Sequence, residues 1–547
     1  MTFLSTLLLS IFITIGLIPV LHAFASRMHL VDSPGARKVH REPIPLVGGI
    51  AMAVGAFIPV ALWAHTDPFV RAYLAGAAVM VVFGFVDDTH GLAPKWKFLG
   101  QLAAALVVVF YGGVKIHTLG ALLSEGTVLP EWVCVPLTVL AIVGVTNAIN
   151  LADGLDGLAG GICLLIFACI GYLAWQEEDV IIGLVALALA GSIFGFLRFN
   201  TYPATVFMGD TGSQLLGFSA VTLSLSLTQG NTPLSPFVPL VLLGLPILDT
   251  LSVMAIRIAK GRSPFSADMN HLHHNLMALG LQQGESVVTI YVLQMFLVVS
   301  AFIFRFHSDW LLLGGYLVFS TLTILFITIA NRTGWNFRVD DHVPTDYFGS
   351  RFLRKAKSEG IAIRKLFPAL EFGLPFLLIV TCLIPPRLPG HVSWCALAFF
   401  GLILAARLFW KERVGDILRI TLYLTIPVVV YAGSTAAYGW MKGVPLRLYT
   451  MVFVLLALLD ITVSKLSRRR EGFKSTPLDF LIVLLAVLVL NLPERSLQEY
   501  NLGLVATMII ILYFSYEVLI AEVQMKYDLI VVGTLGALAV VFMKGFV

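Results

Sequence analysis

A chain of 547 residues that is 58% hydrophobic and only 12% charged, with a mean hydropathy of +0.91, is not a soluble globule; soluble domains carry about twice that charged fraction. The net charge of +4 excludes nothing alone, because in a membrane protein the placement of Lys and Arg matters more than their sum. The five cysteines (Cys134, Cys163, Cys169, Cys382 and Cys395) form no C-x-x-C pair and lie in or beside apolar runs, so they read as small core residues rather than a disulfide or thiolate metal site.

In chain order, residues 2–24 come first. They lack a basic leading region and run too long for a cleaved signal, which predicts a retained first span. Further apolar runs near 46–65, 70–86, 98–113, 132–149, 157–175, 179–197, 213–228, 235–256, 287–304 and 309–330 complete about eleven spans. A basic segment, 331–366, reads as a cytoplasmic linker. About seven more spans follow near 367–385, 391–408, 416–434, 447–464, 476–492, 500–520 and 528–545. The expected fold is an all-α polytopic integral membrane protein, since a β-barrel would show short alternating strands. The expected domains are 1–330, the linker, and an additional region, 367–547. No repeat period stands out.

The odd-numbered loops hold Arg27, Arg37, Lys38 and Arg41, then Lys95 and Lys97, then Arg257, Lys260 and Arg262, and later "RFLRKAKSEGIAIRK". The positive-inside rule makes these loops cytoplasmic and both termini external. Asp87 and Asp88 ("GFVDDTHGL"), Asp153 and Asp156 ("NAINLADGLDGLAGG"), Asp210 ("FMGDTGS") and "HLHH" at 271–274 all fall in or beside odd loops, on one face. Carboxylate and amide oxygens are hard ligands suited to Mg²⁺ or Mn²⁺, and basic residues nearby suit a phosphate-rich substrate. The set therefore points to metal-assisted phosphoryl transfer. Each motif alone has a plainer reading: Asp87 and Asp88 as a solvated helix end, Asp210 or Thr211 as an N-cap, "HLHH" as an incidental loop.

The segments "DSPGARKVHREPIPLVGG", "GFVDDTHGLAPKWKFLGQ", "NAINLADGLDGLAGG", "FNTYPATVFMGDTGSQLLGF" and "RSPFSADMNHLHHNLMALG" stand in the order of a known family. Over roughly residues 1–330 the chain resembles the polyprenyl-phosphate N-acetylhexosamine-1-phosphate transferases, relatives of the MurNAc-pentapeptide translocase of peptidoglycan synthesis. These enzymes of the bacterial plasma membrane open pathways such as O-antigen and lipopolysaccharide assembly. The resemblance implies transfer of a sugar-1-phosphate from a UDP-sugar to undecaprenyl phosphate, release of UMP, and a Mg²⁺ requirement.

It also implies roles. Asp210 and Asn150 match metal-binding positions; Asp87 and Asp88 match the paired aspartates near the lipid phosphate. Phe207 matches the aromatic on uracil, Asp156 and Arg41 positions near the uridine, and Asp153 a residue orienting donor or basic side chains. Lys97, with Arg257 and Arg262, would hold phosphate charge. His271, His273 and His274 match the histidine motif near the sugar and diphosphate. "HLHH" in place of three consecutive histidines points to UDP-GlcNAc, with UDP-GalNAc or a deoxy-aminosugar nucleotide the alternatives. Relatives of this branch usually end near the eleventh span, so residues 331–547 exceed the pattern. Within them Asp460 and Glu517 are acids at membrane depth, open to a functional or a helix-packing reading. Membrane lipids and a homodimer are the remaining expected partners; nucleic acid is not. The rival readings are a flippase of lipid-linked sugars, which would place acids near the midplane of two related halves, and a noncatalytic scaffold that keeps the fold.

Overall fold

A computed structural model describes residues 2–27, 30–32, 43–124, 127–230, 232–264, 266, 270–336, 361–410, 413–436, 444–466, 477, 479–482, 502–523 and 527–546. The chain divides into two compact units, Met1–Val339 with Thr476–Leu481, and Asp340–Ser475 with Ile482–Val547.

The first unit contains α1 (Thr2–Ala25), α2 (Gly48–Ala64), α3 (Pro68–His90), α4 (Pro94–Phe110), α5 (Glu131–Ala152), α6 (Leu158–Gln176), α7 (Val180–Asn200), α8 (Gly209–Thr228), α9 (Val238–Leu242), α10 (Gly244–Ala259), α11 (Leu272–Ala278), α12 (Gln283–Phe304) and α13 (Asp309–Thr333). A two-residue antiparallel ribbon pairs Val31–Asp32 with Ile44–Pro45. Helix starts follow local chemistry. Asp67 accepts from Val70 N (3.1 Å) ahead of Pro68, Asp179 accepts from Ile182 N (2.9 Å), and Gln282 with Glu285 closes a capping box on α12.

Helix α8 is the hub, packed against α2, α3, α5, α6 and α7. Its buried residues include Thr211, Ser213, Gln214, Ser219, Thr222, Ser224 and Thr228, a composition viable at membrane depth because neighbouring helices shield it from lipid. Tyr73 of α3 meets Ser219 there, oxygen to oxygen at 2.8 Å. Among the described residues eight helices are long and apolar enough to cross a membrane, and shorter apolar helices accompany them. The protein is an all-α polytopic membrane protein, as expected. One expected span differs: 235–256 is broken into α9 and α10 at Leu243. Buried Gln294 Nε2 donates to Leu242 O (2.8 Å) and Tyr316 OH to Gly244 O (3.0 Å), satisfying carbonyls on either side of the break.

The second unit contains α14 (Ile361–Leu383), α15 (Gly390–Phe409), α16 (Val414–Ala436), α17 (Val444–Leu466), α18 (Leu502–Val523) and α19 (Asp528–Met543). Leu374, Leu418, Ile426, Leu512 and Ala537 form its apolar centre. Most of the expected span 476–492, and the stretch 337–360, lie outside the described residues.

Candidate active site

The acids gather where α3 and α5 end and α4 and α8 begin. Asp87, in the last turn of α3, is buried, and its Oδ1 accepts from Leu92 N at 2.6 Å. Asp210 opens α8 and faces Asp87 across a shared ammonium. Lys97, in the first turn of α4, sits between them; its Nζ lies 2.8 Å from Asp210 Oδ2 and also contacts Asp87 Oδ2. Asn150, in the last turn of α5, donates from Nδ2 to Asp210 Oδ1 (2.6 Å) and to Ser213 Oγ (2.8 Å). Asp88 turns toward the start of α8, where it accepts from Asp210 N (2.7 Å), Thr211 N (3.0 Å) and Thr211 Oγ1 (2.6 Å).

The loop after Asn150 carries the second group. Gly157 takes a left-handed conformation (φ 79°) at the entry to α6, and its N–H donates to Asn200 Oδ1 at 3.0 Å. Asn200 Nδ2 donates to Val206 O (2.9 Å), and Asp156 Oδ2 accepts from Ala204 N (2.9 Å), so this loop is tied to the segment carrying Phe207. Phe207 is half-buried, with its N–H on Pro45 O and its carbonyl receiving Gly48 N, both at 2.9 Å. Asp153 follows the end of α5. Burial, then the negative charges of Asp210, Asp156 and Asp88, push its carboxyl up to about 7.

The histidines reach the same place. Asp249 of α10 accepts from Leu272 N through Oδ1 (2.6 Å), while its Oδ2 lies 2.8 Å from His271 Nδ1. That anchor sets a row of rings: His271 stacks on His273 with centroids 5.9 Å apart, and His274 lies 4.2 Å from His273. A Cβ on Gly154 would stand 2.4 Å from His273 Nε2, so the imidazole rests directly on the 153–157 loop. Gly154 is needed for that approach rather than for a turn. Burial, reinforced by His274 and His271, holds His273 down at about 4, so it is neutral at pH 7.

Of the residues singled out from sequence, Asp87, Asp88, Lys97, Asn150 and Asp210 meet directly; Asp153, Asp156, Phe207 and the histidines line the adjoining loops. Arg257 is buried, and its Nη1 donates to Pro264 O at 2.6 Å, latching its own turn. Arg262 stands exposed beyond it. Arg41 lies outside the described residues.

Sequence reading missed two supports. Gln101, one turn after Lys97, trades hydrogen bonds with Asn147 (2.7 and 3.2 Å), and Gln214 Oε1 lies 3.5 Å from Gln101 Nε2. These amides fix α4, α5 and α8 one turn below the acids, and a glutamine inside an apolar run was their signal. The second is Asp249, an acid inside an apolar run, which tethers the histidine loop.

The donor set fits a hard divalent cation. Two carboxyls share one ammonium, and the Asn150 amide bridges Asp210 and the Ser213 hydroxyl. Among the described residues no three His, Cys, Asp or Glu side chains form a closed cage. Magnesium typically takes one or two protein carboxylates and draws its other ligands from phosphates and water.

The glycosyl transferase family 4 model matches residues 70–228, from α3 through α8. The chain is 39% identical over 319 residues to a probable undecaprenyl-phosphate N-acetylglucosaminyl 1-phosphate transferase of Bacillus subtilis, a match covering 58% of this chain and 88% of that protein. It is 34% identical over 271 residues to the undecaprenyl-phosphate alpha-N-acetylglucosaminyl 1-phosphate transferase of Escherichia coli K12, covering 49% and 74%. To the protein of that name in Yersinia pestis it is 31% identical over 323 residues, covering 57% and 88%.

Proposed function

The chain belongs to the family of undecaprenyl-phosphate N-acetylglucosaminyl 1-phosphate transferases, and from that premise we propose that it moves GlcNAc-1-phosphate from UDP-GlcNAc to a membrane polyprenyl phosphate. The products are polyprenyl-diphosphate-GlcNAc and UMP, the first membrane step of a cell-surface polysaccharide. The observation that carries this reading is the cluster of Asp87, Lys97, Asn150 and Asp210 at the mouth of α8.

In the reaction an oxygen of the lipid phosphate attacks the sugar-bearing phosphorus, and the bond from that phosphorus to the oxygen bridging it to UMP breaks. A phosphate monoester has a second pKa of about 6, so the acceptor is largely ionised at pH 7. The main task is therefore to bring two anions together. Asp210 and Asp87 would hold Mg²⁺, or Mn²⁺ in its place, with Asn150 beside them. Once bound, that ion neutralises phosphate charge. Lys97 offers an ammonium at the same point, half-shielded from solvent, where phosphate oxygens compete with the carboxylates for it. Neutral His273 offers hydrogen bonds to sugar or diphosphate without adding charge. Asp156 fixes the segment bearing Phe207, the proposed surface for uracil, and the positive-inside rule applied to the basic loops supports a cytoplasmic-facing site.

Purified protein in detergent, given Mg²⁺, polyprenyl phosphate and either UDP-GlcNAc or UDP-GalNAc, should release UMP and form lipid-linked sugar with UDP-GlcNAc. Faster turnover with UDP-GalNAc would reassign the donor. No UMP from either, with Asp210→Asn indistinguishable from wild type, would overturn the reading.

A further inference from the structure

We propose that Asp88 is a positioning residue: its carboxylate fastens the start of α8 to the end of α3, so that Asp87 and Asp210 are held face to face as a divalent-cation site. The inference rests on the transferase reading and goes beyond it by separating the roles of two adjacent aspartates.

Helix α8 has no cap of its own, because Met208 precedes it and offers no side-chain hydrogen bond. The free N–H groups of Asp210 and Thr211 are instead taken by Asp88, across 122 and 123 residues of sequence, with the Thr211 hydroxyl as a third donor. A carboxylate at a helix N-terminus meets both the unsatisfied donors and the positive end of the helix dipole.

Backbone geometry is shaped around this contact. Gly84, one turn before Asp88, has its missing Cβ 2.5 Å from Thr211 Cα, so any side chain there would push α3 off α8. Gly209 adopts φ +65°, and a Cβ on it would lie 2.5 Å from Asp88 Oδ2. Helical geometry turns consecutive residues about 100° apart. While Asp88 faces the α8 backbone, Asp87 faces Lys97 and the Asp210 carboxyl. Two carboxylates repel, and Asp88 restrains the backbone of one of them from the residue next to the other. Both of its oxygens are engaged by these donors.

The test uses the full chain in detergent, with wild type, Asp88→Asn, Thr211→Val and Asp87→Asn. Thermal unfolding is titrated with Mg²⁺ alone, and transfer is measured against Mg²⁺ concentration and against pH. An Asn at 88 turns an amide N–H₂ toward N–H donors. It should raise half-saturating Mg²⁺ by about 10–100-fold in both readouts, while the shape of the pH–rate profile is kept. Thr211→Val removes one of the three donors and should shift Mg²⁺ the same way by less; it decides the matter if Asp88→Asn does not fold. Asp87→Asn should lose the Mg²⁺-dependent stabilisation. Unchanged half-saturating Mg²⁺ in Asp88→Asn, or a lost limb of its pH profile, overturns the proposal. If wild type transfers nothing, the transferase reading fails, yet the Mg²⁺ titration of unfolding still decides the role of Asp88. No Mg²⁺ effect on wild-type unfolding overturns it as well.

Discussion

Acidic side chains within the two units live under different conditions. In the second unit three described acids have partners of another kind. Glu517 receives Arg419 Nε at 3.0 Å and Tyr423 OH at 2.7 Å, Asp460 receives the Ser515 hydroxyl, and Asp528 pairs with Arg407. In the first unit, Asp87 and Asp210 face each other across one ammonium, with Asp153, Asp156 and Asp88 close enough to act on one another. An acid with its own partner is a packing device between helices. Acids crowded together must be held against repulsion, and that expense of stability marks a site.

The sharpest way to break this contrast is Asp210→Asn, which removes charge from the crowded cluster. It should lower kcat/KM by at least about 10²-fold, measured as UMP release, while the protein still folds. Activity within a few-fold of wild type would make the cluster structural. Next is Gly154→Val, which puts a side chain where His273 rests. It should cost about 10–100-fold in activity while Mg²⁺-dependent stabilisation of the protein is retained; unchanged turnover would detach the histidine row from the reaction. Asp156→Ala frees the Ala204 N–H and loosens the Phe207 segment. Losing a hydrogen bond to a charged group, worth about 1.5–3 kcal/mol, should appear mainly as a donor KM roughly 10-fold or more higher. Unchanged donor kinetics would reject the uridine assignment.

A pH series sharpens the same comparison. Asp153 titrates at about 7 in the folded protein against 3.8 for the ordinary carboxyl, with burial the main cause. Between those values the folded state holds a proton that the unfolded chain has released, so this residue's contribution to stability falls as pH rises through that window. Tm measured from pH 5 to 8 should fall less steeply in Asp153→Asn than in wild type; equal slopes would remove Asp153 from the account. The smallest effect is expected from Asp460→Asn, which can still accept from Ser515. Interhelical hydrogen bonds in membranes average about 0.6 kcal/mol, so transfer should be unaffected and stability barely moved. A large loss of transfer would bring the second unit into the enzyme.

Much of the first unit was legible because its signals are local. Apolar length predicts the helices, and the spacing of Asn147, Asn150, Asp153 and Asp156 marks a polar helix end in a greasy chain. What could not be read depends on contacts distant in sequence. Asp88 looks identical to Asp87 until α8 is seen docked beneath it. Gly154 looks like a turn glycine until His273 lies on it. Asp249 reads as an isolated intramembrane acid until it is seen holding Leu272 N and His271. The break at Leu243 was half visible in "LGLPILD", where Gly244 and Pro246 interrupt an apolar run long enough to span.

The hydroxyl-rich interior of α8 bears on how this protein enters its membrane. Among the described residues α8 does not reach the hydropathy of the eight spanning helices, and such a segment gains little from hydrocarbon on its own. Its insertion therefore leans on neighbours already present: α3 and α5 precede it in the chain and cover its polar face. The helix bearing Asp210 is thus stable in lipid only inside a bundle that already holds α3 and α5. A nascent chain halted before that point carries Asp87, Asp88, Asp153 and Asp156 without Asp210, so the acidic cluster forms only once the scaffold around it exists.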